Sequence, residues 1–265
     1  MGGRNGCART VPLSRERRRS NCRGGPPVAA PGLTYCVSTL GGHGGPPLQL
    51  VLQSAPEVEN ILEVSQLGCV RGDRRLFSGL DLSVSPGTFV QLTGPNGSGK
   101  TSLLRILCGL LAAAEGRIMW EGANIRSLGE EYVAQVTYLG HLHGIKDEFS
   151  AVENLKISNA LNGVAVNQDR AFEVLGQMGL AGRESLPARL LSEGQRRRVA
   201  LARLLVCDTK LWLLDEVLTS LDKSAVSLVR SLIENHVAGG GIAIVATHQE
   251  LELPAGRTKR LELTT

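Results

Sequence analysis

The chain has 265 residues, 42% of them hydrophobic, which is enough for one large domain or two small ones with a proper core. No stretch approaches the about 20 consecutive apolar residues of a membrane-spanning helix, since Leu103–Ala114 is interrupted by Arg105 and Gly109. The net charge of +4 combines +6 in residues 1–50, from seven arginines and one acid, with −2 in the remainder; this near-neutral body argues against a large nucleic-acid surface.

Residues 1–56 form an extension rich in arginine, glycine and proline, without the periodicity of a helix or strand. Such a segment buries too little apolar surface to offset the entropy of ordering it, so we expect it to be disordered. Two origins are open. It is an arginine-rich, acid-poor organelle-targeting peptide, or it is translated from a start codon upstream of the true one.

Residues 57–265 have the pattern of one α/β domain. Ile61–Leu67 and Leu76–Val84 alternate as antiparallel strands, and Arg117–Trp120 adds a third strand. Further along the chain, buried strands alternate with helices, which predicts a mainly parallel sheet with helices on both faces. The predicted buried strands are Thr88–Thr93, Val136–Leu139, Leu211–Leu214 and Ile242–Ala246. The predicted helices are Lys100–Leu111, Ala151–Leu161, Gln168–Met178, Glu193–Val206 and Asp222–Val237.

Two further features bear on the architecture and the compartment. The stretch 141–192 carries no central strand, so it is expected to form a separate helical subdomain. The six cysteines show no metal-ligand spacing, and Cys108 and Cys207 lie in apolar runs, so buried thiols in a reducing compartment are expected.

A glycine-rich loop follows the predicted strand Thr88–Thr93 and opens a helix. Its sequence G-P-N-G-S-G-K-T fits G-x-x-x-x-G-K-[ST], whose backbone N–H groups surround phosphate oxygens beside the positive end of a helix. A lysine in this position reaches the β- and γ-phosphates, and the hydroxyl after it ligates Mg²⁺. The alternative is a glycine turn that binds nothing, but the flanking strand and helix favour a nucleotide. The predicted nucleotide-binding residues are Gly94, Pro95, Asn96, Gly97, Ser98, Gly99, Lys100 and Thr101.

Two later segments complete the candidate site. Four apolar residues, Leu211–Leu214, lead into Asp215 and Glu216, at the strand end where sheets of this type bind ligands. Asp215 is predicted to hold Mg²⁺ with Thr101, and Glu216 to act as general base on a water molecule. The segment L-S-E-G-Q begins at residue 191, where the serine is a good N-cap for a helix start that can bind a second anion.

These motifs resemble those of ATP-binding cassette (ABC) ATPases over about residues 61–263. The resemblance implies a P-loop NTPase fold with a mainly parallel core sheet, an antiparallel β subdomain and a helical signature subdomain. It implies ATP and Mg²⁺ as ligands, with Glu216, His248 and Lys100 as catalytic residues. It also implies a homodimer, in which Ser192, Gly194 and Gln195 of one copy close on the ATP held by the other.

A narrower resemblance is to the ATPases of the cytochrome c maturation haem exporter, the CcmA type. The resemblance lies in Arg71–Gly79, Tyr138–Lys146, Ala151–Leu155, Leu191–Leu204, Leu211–Lys223 and Ala246–Gln249. The resemblance implies integral membrane partner subunits of the CcmB/CcmC type and a peripheral location on the cytoplasmic face of the inner membrane. If residues 1–56 are a transit peptide, the location is the mitochondrial matrix side instead.

Five residues at four sites depart from the cassette pattern. His141 and Leu142 stand where the coupling loop usually has a glutamine. Arg71 replaces the aromatic residue that stacks on adenine, and since a guanidinium can stack on a base, a weaker but workable contact of Arg71 with adenine is expected. Glu193 replaces a small residue, which is costly if its φ must be positive. Val217 replaces a proline and is expected to loosen the turn after Glu216. Reduced hydrolysis is therefore expected.

Three alternatives compete with the ATPase of a haem exporter. The first is the ABC-type ATPase of another transporter. A soluble ABC ATPase of ribosomes or DNA would carry two cassettes or a long coiled coil, and this chain has one cassette without heptads. A nucleotide-dependent regulatory subunit with little turnover is compatible with the four departures. Comparison of wild-type ATPase activity with that of Glu216→Gln separates it from an enzyme.

Overall fold

The computed structural model describes residues 60–264 except 142, 143, 220, 250, 252 and 254–256. The expectation of a disordered extension over residues 1–56 therefore lies outside the described residues. The strands are β1 Leu62–Arg71, β2 Arg74–Val84, β3 Thr88–Thr93, β4 Glu115–Trp120, β5 Ala123–Asn124, β6 Val136–Leu139, β7 Leu211–Asp215, β8 Ile242–Ala246 and β9 Arg257–Glu262. The helices are α1 Lys100–Leu107, α2 Ile125–Leu128, α3 Glu130–Val133, α4 Ala151–Ala160, α5 Gln168–Gln177, α6 Glu193–Leu201 and α7 Lys223–Ala238, with 3₁₀ turns at Ala188–Leu190 and Ala202–Leu205.

Two sheets organise the described residues, as the sequence predicts. One is antiparallel with the order β2-β1-β4-β5, and the other is parallel with the order β6-β7-β8-β3-β9. In the parallel sheet, β8 lies between β7 and β3, with Ala246 in register with both Asp215 and Leu92. The loops that follow these three strands therefore leave the sheet side by side, at the edge where ligands of such sheets bind.

Successive residues of β7 contribute to two different apolar cores. Leu211 and Leu213 pack with the antiparallel sheet and α1, whereas Trp212 and Leu214 pack with α4, α5, α6 and α7. Side chains of a strand alternate between the two faces of its sheet, so a strand covered on both faces must be apolar throughout. This accounts for the uninterrupted apolar run that predicts β7.

The structure corrects two of the predicted helices and adds elements that the sequence analysis did not predict. Helix α1 ends at Leu107 instead of Leu111, because Cys108 caps it and Gly109 follows at φ 79°. The helix predicted over Glu193–Val206 tightens into a 3₁₀ turn after Leu201. Helices α2 and α3 and strand β9 were not predicted. Strand β9 is mostly exposed and polar, so it shows no buried-strand pattern, and its pairing with β3 defines it.

The helical segment after residue 144 contains no named strand among its described residues. Its core is not separate, however. Leu155, Leu175 and Met178 belong to the same apolar cluster as Phe89 and Trp212 of the parallel sheet. The helices thus stand on one face of the sheet because they share its core. Among the described residues, none of the helices combines the length and the apolar character needed to cross a bilayer.

The cysteines that the structure describes, Cys69, Cys108 and Cys207, are buried free thiols. Burial raises the pKa of Cys108 and of Cys207, which keeps both thiols protonated and unreactive at neutral pH. The expectation of buried thiols at these two positions is confirmed.

Candidate active site

The loop between β3 and α1 requires glycine at the positions where its motif has glycine. Gly94 has φ 143°, and a Cβ atom there would lie 2.5 Å from the carbonyl oxygen of Leu263. Gly99 has φ 103°, and a Cβ atom would lie 3.0 Å from the ring of Phe77. The backbone thus turns too tightly, and too close to its neighbours, for side chains at these positions.

Lys100 places a positive charge inside this loop. Its side chain is buried, and Nζ donates hydrogen bonds to the carbonyl oxygens of Gly94 at 2.7 Å and Pro95 at 3.1 Å. Lys100 is also the first residue of α1, so the positive end of that helix lies at the same loop. Ammonium and helix end together favour an anion at this loop, as the sequence predicts.

Asp215 ends β7 beside the first turn of α1. Its side chain is buried, and the Thr101 hydroxyl interacts with the carboxylate. Burial raises the pKa of Asp215, and the nearby Glu216 adds to the rise, whereas the Thr101 hydroxyl lowers it. Oδ2 is buried and finds no hydrogen-bond partner among the described residues. A buried, unpartnered carboxylate oxygen next to a hydroxyl fits a divalent cation that prefers oxygen ligands.

Glu216 has an unusual backbone. Its φ is 51°, whereas ordinary L-residues avoid positive φ. Its N–H donates to the carbonyl oxygen of Ala246 at 2.9 Å, across the gap between β7 and β8. Its side chain points to the loop after β8, where His248 Nε2 lies 3.5 Å from Glu216 Oε1. The structure thus brings these two predicted site residues together.

The segment at residues 191–195 forms the start of α6. Ser192 is the N-cap, its hydroxyl accepts from the Gln195 N–H at 3.2 Å, and its own N–H donates to Gln195 Oε1 at 2.9 Å. The predicted N-cap at Ser192 is thus confirmed, and Gln195 completes it to a capping box. Gly194 lies in the first helical turn. The three residues therefore lie together at the start of α6. A different residue of the same helix contacts the turn that follows β7.

Glu193 is the first residue of α6 and is not among the residues with positive φ. The strain that a positive φ would cause there is therefore absent. A carboxylate in the first turn interacts favourably with the helix dipole. It also pairs with Arg196, whose Nη2 lies 3.0 Å from Glu193 Oε2.

Arg197 is the residue that connects α6 to the β7 edge. Its guanidinium is buried and donates to the carbonyl oxygens of Val217 at 3.1 Å, of His141 at 2.8 Å and of Glu216. The Thr219 hydroxyl also donates to the Glu216 carbonyl oxygen. Val217 was expected to loosen this turn. In the structure Val217 is buried and its carbonyl oxygen accepts from Arg197, and the looser turn stays a prediction.

The sequence analysis did not single out Arg197, since it is one of three consecutive arginines. The position of Arg197 within the helical repeat of α6 is the signal that could have identified it. Position 197 lies four residues before the buried Leu201 and three before the buried Ala200, hence on the buried face of α6. An arginine on the buried face of a helix predicts buried hydrogen-bond acceptors around its guanidinium.

The two remaining departures lie at the margins of the site. Arg71 is exposed at the end of β1, within electrostatic range of Cys69, whose thiol interacts with Ser102 in the first turn of α1. His141 is exposed and lowers the pKa of Asp215 through its charge, against the larger effect of burial. Leu142 lies outside the described residues.

The chain is similar to known proteins along most of the described length. The profile of the ABC transporter family matches residues 77–219. The cytochrome c biogenesis ATP-binding export protein CcmA of Nitrosospira multiformis is 58% identical over 203 residues, which cover 77% of this chain and 98% of that protein. The protein of the same name from Nitrosomonas europaea is 54% identical over 213 residues, or 80% of this chain and 100% of that protein.

A solved structure supports the fold. A dimeric ATP-binding cassette in a post-hydrolysis state, bound to ADP and phosphate, superposes with a TM-score of 0.66 at 22% identity and covers 77% of this chain and 97% of its own. At this level of identity, the likeness concerns the fold.

Proposed function

Because this chain belongs to the ABC transporter family, and within it to the cytochrome c biogenesis ATP-binding export proteins, we propose that it is the ATP-hydrolysing subunit of an exporter in haem delivery to c-type cytochromes. ATP and water are its substrates, and ADP and phosphate its products. The energy released drives membrane partner subunits that carry out the transport.

One observation carries the enzymatic part of this proposal. Three neighbouring strands deliver Lys100, Thr101, Asp215, Glu216 and His248 to one edge of the sheet, because Leu92, Asp215 and Ala246 share a register row. Binding, metal coordination and proton transfer are thereby available within one site. A phosphate loop alone would support binding but not hydrolysis.

Each residue has a role that follows from its position. The loop N–H groups and the Lys100 ammonium bind the phosphates and stabilise the negative charge of the transition state. Glu216 orients the attacking water and accepts its proton, and His248, 3.5 Å away, donates a hydrogen bond to the γ-phosphate. Thr101 and Asp215 would hold Mg²⁺, which neutralises phosphate charge when bound.

The complete site requires a second copy of the chain. Ser192, Gly194 and Gln195 form a helix N-terminus suited to an anion, and their hydrogen bonds are local to that helix start. We infer that this end of α6 closes on the ATP of the partner copy. The dimeric state of the solved cassette with ADP and phosphate supports this arrangement.

The membrane partners are proposed to be integral subunits of the CcmB/CcmC type, with this chain bound to them at the cytoplasmic face of the inner membrane. The similarity to ATP-binding export proteins of cytochrome c biogenesis supports an association with membrane subunits. Isolation of the tagged full-length chain from membranes is expected to bring such subunits with it. Recovery of ribosomal proteins or DNA instead would favour the soluble ABC ATPases.

The decisive test compares wild type with Glu216→Gln, which keeps the shape of the side chain and removes the base. The steady-state ATPase rate is expected to fall by about 10²- to 10⁴-fold, the usual contribution of a general base. Glu131→Gln, on the exposed side of α3, is the matched control and is expected to keep the wild-type rate. Equal rates for wild type and Glu216→Gln would contradict the enzyme assignment. In cells, replacement by Glu216→Gln should also remove haem-stained c-type cytochromes.

A further inference from the structure

Arg197 is an unusual arginine, because its guanidinium lies inside the protein and contacts backbone of two separate segments. The residue is 3% exposed. Nη1 donates to the carbonyl oxygen of His141 at 2.8 Å, and Nε donates to that of Val217 at 3.1 Å. Nη2 donates to the carbonyl oxygen of Glu216 and lies 3.3 Å from the Thr219 hydroxyl oxygen. One side chain therefore joins α6, the loop after β6 and the turn after β7.

The neighbouring arginines of α6 have different contacts. Arg196 lies 3.4 Å from a carboxylate oxygen of Asp147, and Arg198 lies 2.7 Å from one of Asp222. Both of these ion pairs reach carboxylates that are more than half exposed, where such pairs contribute little. Arg197 alone of these three reaches the residue that the proposed reaction uses as its base.

Burial of a guanidinium has a free-energy cost, and the hydrogen bonds must offset it. Burial lowers the pKa of Arg197, and the charges of Glu193, Asp215 and Glu216 act in the opposite direction. The planar guanidinium carries five N–H donors in a rigid fork, so it can bind carbonyl oxygens that arrive from different directions. The ammonium of lysine, a compact point charge, cannot reproduce this pattern.

These hydrogen bonds matter most for the backbone of Glu216. Its φ of 51° rotates its carbonyl group into a direction that ordinary strand backbone does not adopt. Arg197 and the Thr219 hydroxyl both donate to that carbonyl oxygen. A strained backbone conformation persists only where surrounding groups hold it in place. Here the hydrogen bonds from these two donors hold it.

We propose that Arg197 is a positioning residue for ATP hydrolysis, which holds the backbone of Glu216 so that its carboxylate stays aimed at the reacting water. Because the same guanidinium binds the carbonyl oxygen of His141, it also ties the loop that begins there to the position of Glu216. A movement of either α6 or that loop then changes the position of Glu216. This inference rests on the proposed ATPase function, with Glu216 as the base.

The test uses the full-length chain, isolated with its accompanying membrane subunits, and the variants Arg197→Met and Arg197→Lys. We expect kcat to fall by about 10- to 100-fold in both, the range that displacement of a catalytic group produces. KM and the affinity for a fluorescent ATP analogue are expected to change less than about twofold, since Lys100 binds phosphate independently of Arg197. Arg230→Gln is the control, because Arg230 pairs with Glu234 at 3.1 Å on α7, and it is expected to behave as wild type.

A second pair of variants separates positioning from general damage to the fold. Thr219→Val removes the other donor to the Glu216 carbonyl oxygen and keeps the side-chain shape. If both donors act on that one oxygen, the combined loss in Arg197→Lys with Thr219→Val is smaller than the product of the single losses. Independent effects that multiply would overturn the proposal, as would an Arg197→Met chain with wild-type kcat.

The remaining outcomes of these experiments also support or overturn the proposal. Loss of nucleotide affinity in step with kcat would show that Arg197 supports the whole site, and would overturn a specific role at Glu216. If Arg197→Met fails to fold, Arg197→Lys and Thr219→Val decide by the same criteria. An inactive wild-type preparation that binds ATP would instead contradict the proposed function, so the two failures are distinguishable.

Discussion

Replacement of Glu216 by asparagine is expected to make the protein more stable while it removes hydrolysis. At its φ of 51°, an ordinary L-residue is strained by about 1–2 kcal/mol, whereas asparagine adopts such a backbone more readily. Asparagine is one methylene shorter, and the lost apolar burial of this partly exposed side chain offsets about 0.5 kcal/mol. The net expected gain is about 1 kcal/mol.

Glu216→Gln is the matched reference for this prediction. Both variants lose the carboxylate, its contact with His248 at 3.5 Å and its repulsion of Asp215, so these effects cancel in the comparison. For a folded unit of this size, about 1 kcal/mol corresponds to a melting temperature about 2–4 °C higher for asparagine than for glutamine. Thermal unfolding without nucleotide measures this difference. Equal melting temperatures, or a more stable glutamine variant, would refute the argument that backbone strain is stored at Glu216.

Three further predictions concern other parts of the chain. Lys100→Met should weaken the binding of a fluorescent ATP analogue by at least about tenfold, since it removes the ammonium from the loop; unchanged affinity would place the phosphates elsewhere. Burial lowers the pKa of His236 from its ordinary 6.5, so the stability that neutral His236 provides is present above about pH 6.5 and lost as the pH falls from there toward its lowered pKa. The melting temperature should therefore fall more steeply toward pH 5 in wild type than in His236→Phe. Phenylalanine keeps an aromatic ring on Trp212, where the ring centroids of His236 and Trp212 lie 3.8 Å apart. Parallel curves of melting temperature against pH would contradict this prediction. Glu193→Gly should lower the melting temperature by a few degrees, about 1 kcal/mol of helix propensity and dipole interaction, whereas a rise would indicate strain at Glu193.

The buried strands and the phosphate loop were predictable because their signals are local. An apolar strand that runs into glycines and a lysine needs no knowledge of distant residues, and the same holds for the N-cap at Ser192. Strand β9 was missed because its residues are mostly exposed and polar, and only its pairing with β3 makes it a strand. Glu193 was expected to be costly only if its φ had to be positive, and its position at the start of α6 gives it no positive φ.

The sequence by itself determined which side chains are proposed to carry the chemistry: the lysine and hydroxyl of the loop, the carboxylates at the end of β7 and the histidine after β8. Motif and spacing specify these, since each lies next to a strand or helix that its own residues encode. Only the tertiary structure decided how they act together. The strand order β7-β8-β3 puts His248 beside Glu216, and the packing of α6 brings Arg197 to the Glu216 carbonyl oxygen. Those contacts join residues far apart in the chain, so no local pattern contains them.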